Sequence, residues 1–215
     1  KRIIFKFFYS LSDVIIVNSK FFQKELNEVN LRSHLIYNLN TYEKRVKRLD
    51  FFKKFKGLKI LNIGRLTDQK DQLTIIKSLE ILKKNNLNFR CNIVGRGAFK
   101  DILINEIKRL NLEKNIKLAG FKNHAEQYIS QSDIFVLSSK FEGLPNVLIE
   151  SQKYGVPIIS SNCPTGPNEI LMNGKLGELF HCPLCTGFWV GVFLWSINCL
   201  TELFTYDYNL VNGLL

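Results

Sequence analysis

The chain has one Met, five Pro and five Cys among 215 residues. So few thiols exclude a disulfide scaffold, and 13 Gly in 215 residues exclude a collagen-like chain. It has no Pro/Ser/Gly-rich tract, and with 17 Phe it is not a disordered composition. Apolar runs fall short of the roughly 20 residues that span a bilayer. The longest, Gly187 to Leu200, is broken by Ser196 and Asn198. It reads as a hydrophobic helix docking on the domain or on a membrane surface. Lys1 to Tyr9 is basic and aromatic but lacks the apolar core and cleavage site of a signal peptide. With no initiator Met, the chain is expected to be an internal piece of a longer protein. Positive charge is missing from the last 40 residues, since Lys175 is the final basic residue. Those residues hold Cys182, Cys185, Cys199 and both Trp, so a boundary is expected near Phe180.

The rest of the chain is strongly basic. Thirty Lys and Arg against 19 Asp and Glu give +11 and a pI near 9.4. That balance suits an anionic partner: nucleic acid, an acidic membrane face or a phosphorylated ligand. Helix-turn-helix, RNA-recognition and zinc signatures are all missing, so nucleic acid is not expected as a partner. Cys182-Pro183-Leu184-Cys185 is a lone CxxC beside His181. Without a second CxxC or an HxxxH it reads as ordinary thiols rather than a metal or redox site, and no metal is expected.

Periodicity organises residues 58–180. Short apolar runs at 59–63, 89–94, 116–118, 134–137 and 156–160 read as strands. The segments 72–84, 100–110, 125–130, 146–154 and 168–172 read as helices or helical turns. Strand and helix alternate with short connections, which predicts an α/β fold, a Rossmann-like doubly wound parallel sheet. Before it, Val14 to Val17 reads as a buried strand, Asn18-Ser19 as the cap of a helix over 20–27, and Leu35 to Tyr37 as another strand. Residues 38–57 read as a linker.

In such sheets ligands sit outside the carboxyl ends of the strands, which directs attention to five loops. Loop 64–70 carries Gly64, Arg65 and Lys70, a fork and a point charge suited to a diphosphate, though equally a solvated turn. Gly95-Arg96-Gly97 lacks the full dinucleotide spacing and reads first as a tight turn. The loop at 119–123 holds Gly120 and Phe121. Loop 138–146 leads into a helix through Pro145, so the backbone of residues 143–147 offers an anion site. Glu142 and Glu150 flank that helix start, as acceptors for sugar hydroxyls or, more plainly, as a capping charge and a solvated one. Loop 161–168, with two Pro and Gly166, is either a phosphate-facing or a purely structural turn.

Taken together, residues 58–180 resemble the nucleotide-binding half of retaining glycosyltransferases of family 4, which have the two-domain GT-B fold. The resemblance rests on Gly64-Arg65-Leu66 with Lys70-Asp71, Val94-Gly95-x-Gly97, Leu118-Ala119-Gly120-Phe121 and Ser132 to Ser139. It continues through Glu142 to Glu150 (the E-x7-E motif), Gly155 to Ile159, Pro164 to Leu171 and Asn173 to Gly177. Residues 12–37 are similar to the end of the family's first domain. The implied division is a remnant of the acceptor domain and linker at 1–57, a nucleotide-sugar-binding domain at 58–180, and a tail at 181–215 that does not resemble the family. A gene fusion or frame change would account for that tail.

The resemblance implies that Arg65 and Lys70 hold the donor diphosphate and that Glu150 binds the ribose. Glu142 would be the catalytic carboxylate at the transferred sugar. Gly143, Leu144 and Pro145 would meet the diphosphate or sugar, and Gly120-Phe121 the base. The implied reaction moves a hexose or N-acetylhexosamine from a nucleotide sugar, UDP-linked by expectation, to a glycan or lipid-linked acceptor. No cofactor or metal is implied, and the expected location is cytoplasmic, with peripheral contact at the inner membrane face. The alternative is a truncated module that binds the nucleotide sugar without turnover. Arg96 departs from the family, which usually has an acidic residue there.

Overall fold

Two periodicities, one of two residues and one near 3.6, build the body of the protein. In the computed structural model, which describes residues 7–38, 51–52, 54–163, 166–172 and 178–180, they form six parallel strands with helices between them. The readings made on Pro164, Thr165, 173–177 and 181–215, and most of the linker, lie outside the described residues.

A small first unit pairs β1 (Ile16–Val17) with β2 (His34–Leu35) in parallel and packs α1 (Lys20–Glu28) on them. Ser19 caps α1 by accepting a hydrogen bond from the Phe22 amide at 3.3 Å. Val17, Leu26 and Leu31 form its core. The buried strand expected at Val14 to Val17 is thus corrected. Only Ile16–Val17 pairs, and Val14 and Ile16 are each 61% exposed. Among the described residues one strand and one helix flank β1, too little to cover both of its faces.

The main sheet comprises β3 (Leu58–Ile63), β4 (Phe89–Val94), β5 (Ile116–Gly120), β6 (Ile134–Leu137), β7 (Ile158–Ser161) and β8 (Glu178–Phe180). Its order is β5-β4-β3-β6-β7-β8, every pairing parallel. Alternate residues of each strand feed two cores. Ile60, Cys91, Ile93, Ile134 and Val136 face α2 (Gln72–Lys84) and α3 (Lys100–Arg109), where they meet Ile76, Leu79, Leu82 and Leu103. Leu61, Val94, Phe135, Leu137 and Ile158 face α4 (Glu126–Ile129) and α5 (Asn146–Lys153), against Tyr128, Ile129 and Leu148. A strand buried on both sides must be apolar throughout, which is why β6 reads Ile-Phe-Val-Leu. A last short helix, α6 (Pro167–Ile170), precedes β8. Phe51 stacks on Tyr128 with ring centroids 3.8 Å apart, and Phe52 is buried, so the chain already packs on this unit before Leu58.

The strand order fixes where a ligand can enter. From β3 the sheet grows toward β4 and β5, then restarts on the other side with β6 and β7. The loops leaving β3 and β6 therefore diverge to opposite faces and open a crevice at their carboxyl ends.

Candidate functional site

The two diverging loops meet across that crevice. After Gly64 the chain turns through a 3-10 helix (Asp68–Lys70) and enters α2 from Asp71, whose φ of 44° is left-handed. Thr74 Oγ1 donates to Asp71 Oδ2 at 2.7 Å and holds that turn. Lys70 is thereby aimed at the loop after β6, where its Nζ lies 2.5 Å from Glu142 Oε1. The same oxygen accepts a hydrogen bond from Ser139 Oγ at 2.5 Å. Only 15% of the Lys70 side chain and 6% of the Glu142 side chain are exposed, so this ion pair is largely shielded from water.

Further bonds lace the two loops. The Lys140 amide donates to the Gln69 carbonyl at 2.8 Å, and Gln69 Nε2 donates to the Phe141 carbonyl at 2.9 Å. Ser138 Oγ lies 2.9 Å from both the Lys70 and Asp71 carbonyls. At the exposed rim Lys140 pairs with Asp68. Arg65, expected beside Lys70, instead extends toward Gln69 Oε1 at 3.4 Å and is exposed. Three buried polar atoms here, Asn62 Oδ1, Thr67 Oγ1 and Gln72 Oε1, have no partner among the described residues.

Glycines set how closely these loops approach their neighbours. A Cβ on Gly95 (φ 156°) would fall 1.8 Å from the Gly64 carbonyl oxygen, so a side chain there would push the first loop out of place. On the other side, Gly166 (φ 66°) packs on the loop after β6, its Cβ position 1.9 Å from the Gly143 carbonyl oxygen. Ser161 Oγ adds a bond to the Ser139 carbonyl at 2.6 Å. Residues 139–146 are therefore clamped between the loop after β3 and the loop after β7.

That segment ends in α5. Gly143 and Asn146 are exposed, Leu144 and Pro145 are buried, and Pro145 caps the helix with φ −74° and ψ 94°. Pro145 cannot offer an amide, because proline has no N–H. It shapes the entry, while the first amides of α5 have no intrahelical acceptors and carry the positive end of its dipole. Glu150 lies one turn further on α5, half-buried. Burial, joined by the Glu126 carboxylate and opposed by Lys153, holds its carboxyl above the usual range. Glu126 itself contacts His124 Nδ1 at 3.1 Å. So the two expected acids part company: Glu142 is paired to a cation, and Glu150 is held chiefly by burial above its ordinary range.

Gly120 ends β5 with φ 71°, and Phe121 beyond it is 56% exposed. The Arg96 guanidinium sits 4.9 Å from the Phe121 ring centroid, so this unusual cation is occupied by an aromatic face. Ser139, Gln69 and Gln72 join the arrangement without having been singled out from sequence. Only Ser139 carried a local sign, as the second of two hydroxyl residues that follow the apolar strand. Among the described residues no group of three or more His, Cys, Asp or Glu is placed to hold a metal, and no helix is long and apolar enough to cross a membrane.

Comparison with known proteins agrees with the fold. A family model described as "Glycosyl transferases group 1" matches residues 43–188. The uncharacterized glycosyltransferase MJ1059 of Methanocaldococcus jannaschii is 33% identical over 178 residues, covering 78% of this chain and 44% of its own length. A Campylobacter jejuni relative is 30% identical over 179 residues, 80% of this chain and 47% of its own. Its name is N-acetylgalactosamine-N,N'-diacetylbacillosaminyl-diphospho-undecaprenol 4-alpha-N-acetylgalactosaminyltransferase. Among solved structures, Anabaena HepE in complex with UDP and glucose superposes with a TM-score of 0.79 at 19% identity, covering 94% of this chain and 57% of HepE. The chain thus spans about half the length of the curated relatives it matches.

Proposed function

The chain belongs to the group 1 glycosyltransferases, and from that premise we propose that it is the donor-binding part of a retaining, family 4 enzyme. In this reading it takes a UDP-linked hexose or N-acetylhexosamine and passes the sugar to a glycan or lipid-linked acceptor. The observation that carries it is the Lys70–Glu142 pair at the strand-order switch, set against the N-terminus of α5. A departing nucleoside diphosphate gains negative charge as the glycosidic bond breaks. In this reading Lys70 and the α5 amides stabilise it, with Arg65 reaching in from the exposed rim of the same loop, without calling on a metal. Glu142 then lies beside the transferred sugar as the catalytic carboxylate, and Glu150 accepts hydrogen bonds from the ribose. Gly143 and Leu144 border the diphosphate, while Gly120 and Phe121 border the base. The Campylobacter relative, named for an undecaprenol-diphosphate acceptor, and HepE, solved with UDP and glucose, support the donor and acceptor classes. A lipid-linked acceptor would bring this basic chain to the cytoplasmic face of a membrane.

Calorimetric titration with UDP and hydrolysis of a labelled UDP-sugar test the reading. Wild type should bind UDP, Glu150→Ala should bind it less well, and Lys70→Ala should lose more affinity for UDP than for uridine. Unchanged affinities in both variants overturn the assignment. The alternative, binding without turnover, draws on the share of its relatives that the chain spans, 44% and 47% of their lengths in the two cases above. UDP binding with no hydrolysis of the sugar nucleotide would favour it.

A further inference from the structure

Glu169, on α6, belongs to none of the donor contacts above, yet it reaches the first unit. Its carboxylate accepts hydrogen bonds from the Lys20 amide, 3.0 Å from Oε2 and 3.3 Å from Oε1, and from the Tyr37 hydroxyl at 2.5 Å. Lys20 is the first residue of α1, so an acid there also meets the positive end of a helix. The Tyr37 proton is held by the same acid, which raises its pKa to about 12. Two neighbouring contacts lie along the same seam. Asn38 Nδ2 donates to Asn146 Oδ1 at 2.9 Å, at the first residue of α5. Asn18 Oδ1 lies 3.9 Å from where a Cβ on Gly143 would stand. A cavity of about 610 Å³ in the first unit has Asn18, Tyr37 and Asn38 on its wall, so its polar rim borders the same seam.

The loop that presents Glu169 is also part of the clamp on residues 139–146. Gly166, immediately before α6, packs on the Gly143 carbonyl and on Pro145. A shift of the loop after β6 toward Gly166 must displace it, because there is no room for even an added Cβ between them. We infer that Glu169 is a positioning residue that couples occupancy of the loop at 139–146 to docking of the first unit, through its bonds to Lys20 and Tyr37. This rests on the donor reading only for the identity of the ligand, a nucleoside diphosphate. The latch itself is a property of the unliganded chain. A bound donor fixes residues 143–146, residue 166 follows, and Glu169 then holds α1 and the segment at Tyr37 against that loop. Removing the carboxylate leaves the donor loop intact and uncouples the first unit from it.

Amide hydrogen exchange on the full 215-residue chain, with and without UDP, tests this. Without ligand, Glu169→Ala should speed exchange of the Lys20 amide by about ten-fold or more, as expected for losing bonds to a charged acceptor, and Tyr37→Phe by less. With UDP, wild type should gain protection at 139–150 and also at 15–37. Glu169→Ala should gain it only at 139–150, and Glu169→Gln should recover part of the gain at 15–37. Equal UDP-induced protection of 15–37 in wild type and Glu169→Ala overturns the coupling. Unchanged Lys20 exchange in the unliganded variant overturns the latch. Should UDP protect neither segment of wild type, the donor reading fails instead, and the latch stands or falls on the unliganded comparison. Tyr37→Phe, which removes one hydroxyl from an exposed ring, decides the unliganded comparison if Glu169→Ala does not fold.

Discussion

Replacing Lys70 by Ala isolates the pair at the centre of the crevice. The Glu142 side chain is 6% exposed, and its Oε1 is shared by Lys70 and Ser139. Without Lys70 the carboxylate keeps one hydroxyl donor and little water. Breaking a buried pair by removing one partner costs about 3–5 kcal/mol. Lys70 itself is 15% exposed, so some solvent reaches the gap, and the lower end, about 3 kcal/mol, is expected. For a chain of this length that lowers Tm by roughly 6–12 °C. The double variant Lys70→Ala/Glu142→Ala leaves no uncompensated charge and should recover part of the loss, with a coupling energy of about 2 kcal/mol. Urea denaturation of the four proteins measures it. In the proposed reading the pair would also compete with the donor, because a diphosphate could use Lys70 only by drawing it from Glu142. Glu142→Gln keeps the shape and weakens that competition, so UDP should bind about five-fold more tightly while sugar-nucleotide turnover disappears. If Lys70→Ala loses under about 1 kcal/mol, or if the double variant loses the sum of the single ones, the pair is not a shielded one and the reasoning fails.

Two further substitutions probe the surroundings. The Glu150 carboxyl is held above its ordinary value of 4.5, chiefly by burial, so the folded chain binds that proton more tightly than the unfolded one. Its contribution to stability is present below 4.5 and is lost as pH rises through the raised value. Glu150→Gln should flatten the stability profile over that interval and raise stability at pH 7 while weakening UDP. A variant no more stable at pH 7 would refute the burial argument. At Gly166, φ is 66° and an added Cβ meets the Gly143 carbonyl oxygen at 1.9 Å. Gly166→Ala should therefore lower Tm and weaken UDP binding together, since the loop at 139–146 must move. Loss of Tm with unchanged UDP affinity would show that the clamp does not reach the donor loop.

Much of the fold was legible because local chemistry repeats it. Strands buried on both faces need unbroken apolar runs, and β4, β6 and α2 appear at the expected residues. Ends were less legible. β5 runs on to Gly120 beyond Leu118, and β7 spans Ile158–Ser161 rather than 156–160, because neighbouring strands supply the last hydrogen bonds. Val14 to Val17 misled for the opposite reason: an apolar run signals burial only if something covers it, and Ile16 is exposed.

The sequence by itself determined the alternation of strand and helix, the loops at the strand ends, and the Gly and Pro positions that shape them. It also placed Arg65, Lys70, Glu142 and Glu150 in those loops or beside them. Tertiary structure alone decided their partners. Lys70 and Glu142 are 72 positions apart and meet only because β6 lies beside β3 rather than beyond β5. Glu150, on the same helix motif, has no such cation paired to it among the described residues and is instead held above its ordinary carboxyl value, chiefly by burial. Glu169 finds Tyr37 across 132 positions, a contact no periodicity encodes. Local pattern depends on backbone geometry a few residues long. Strand order and the approach of distant loops depend on how two cores are filled at once, and that is where the site's chemistry is assembled.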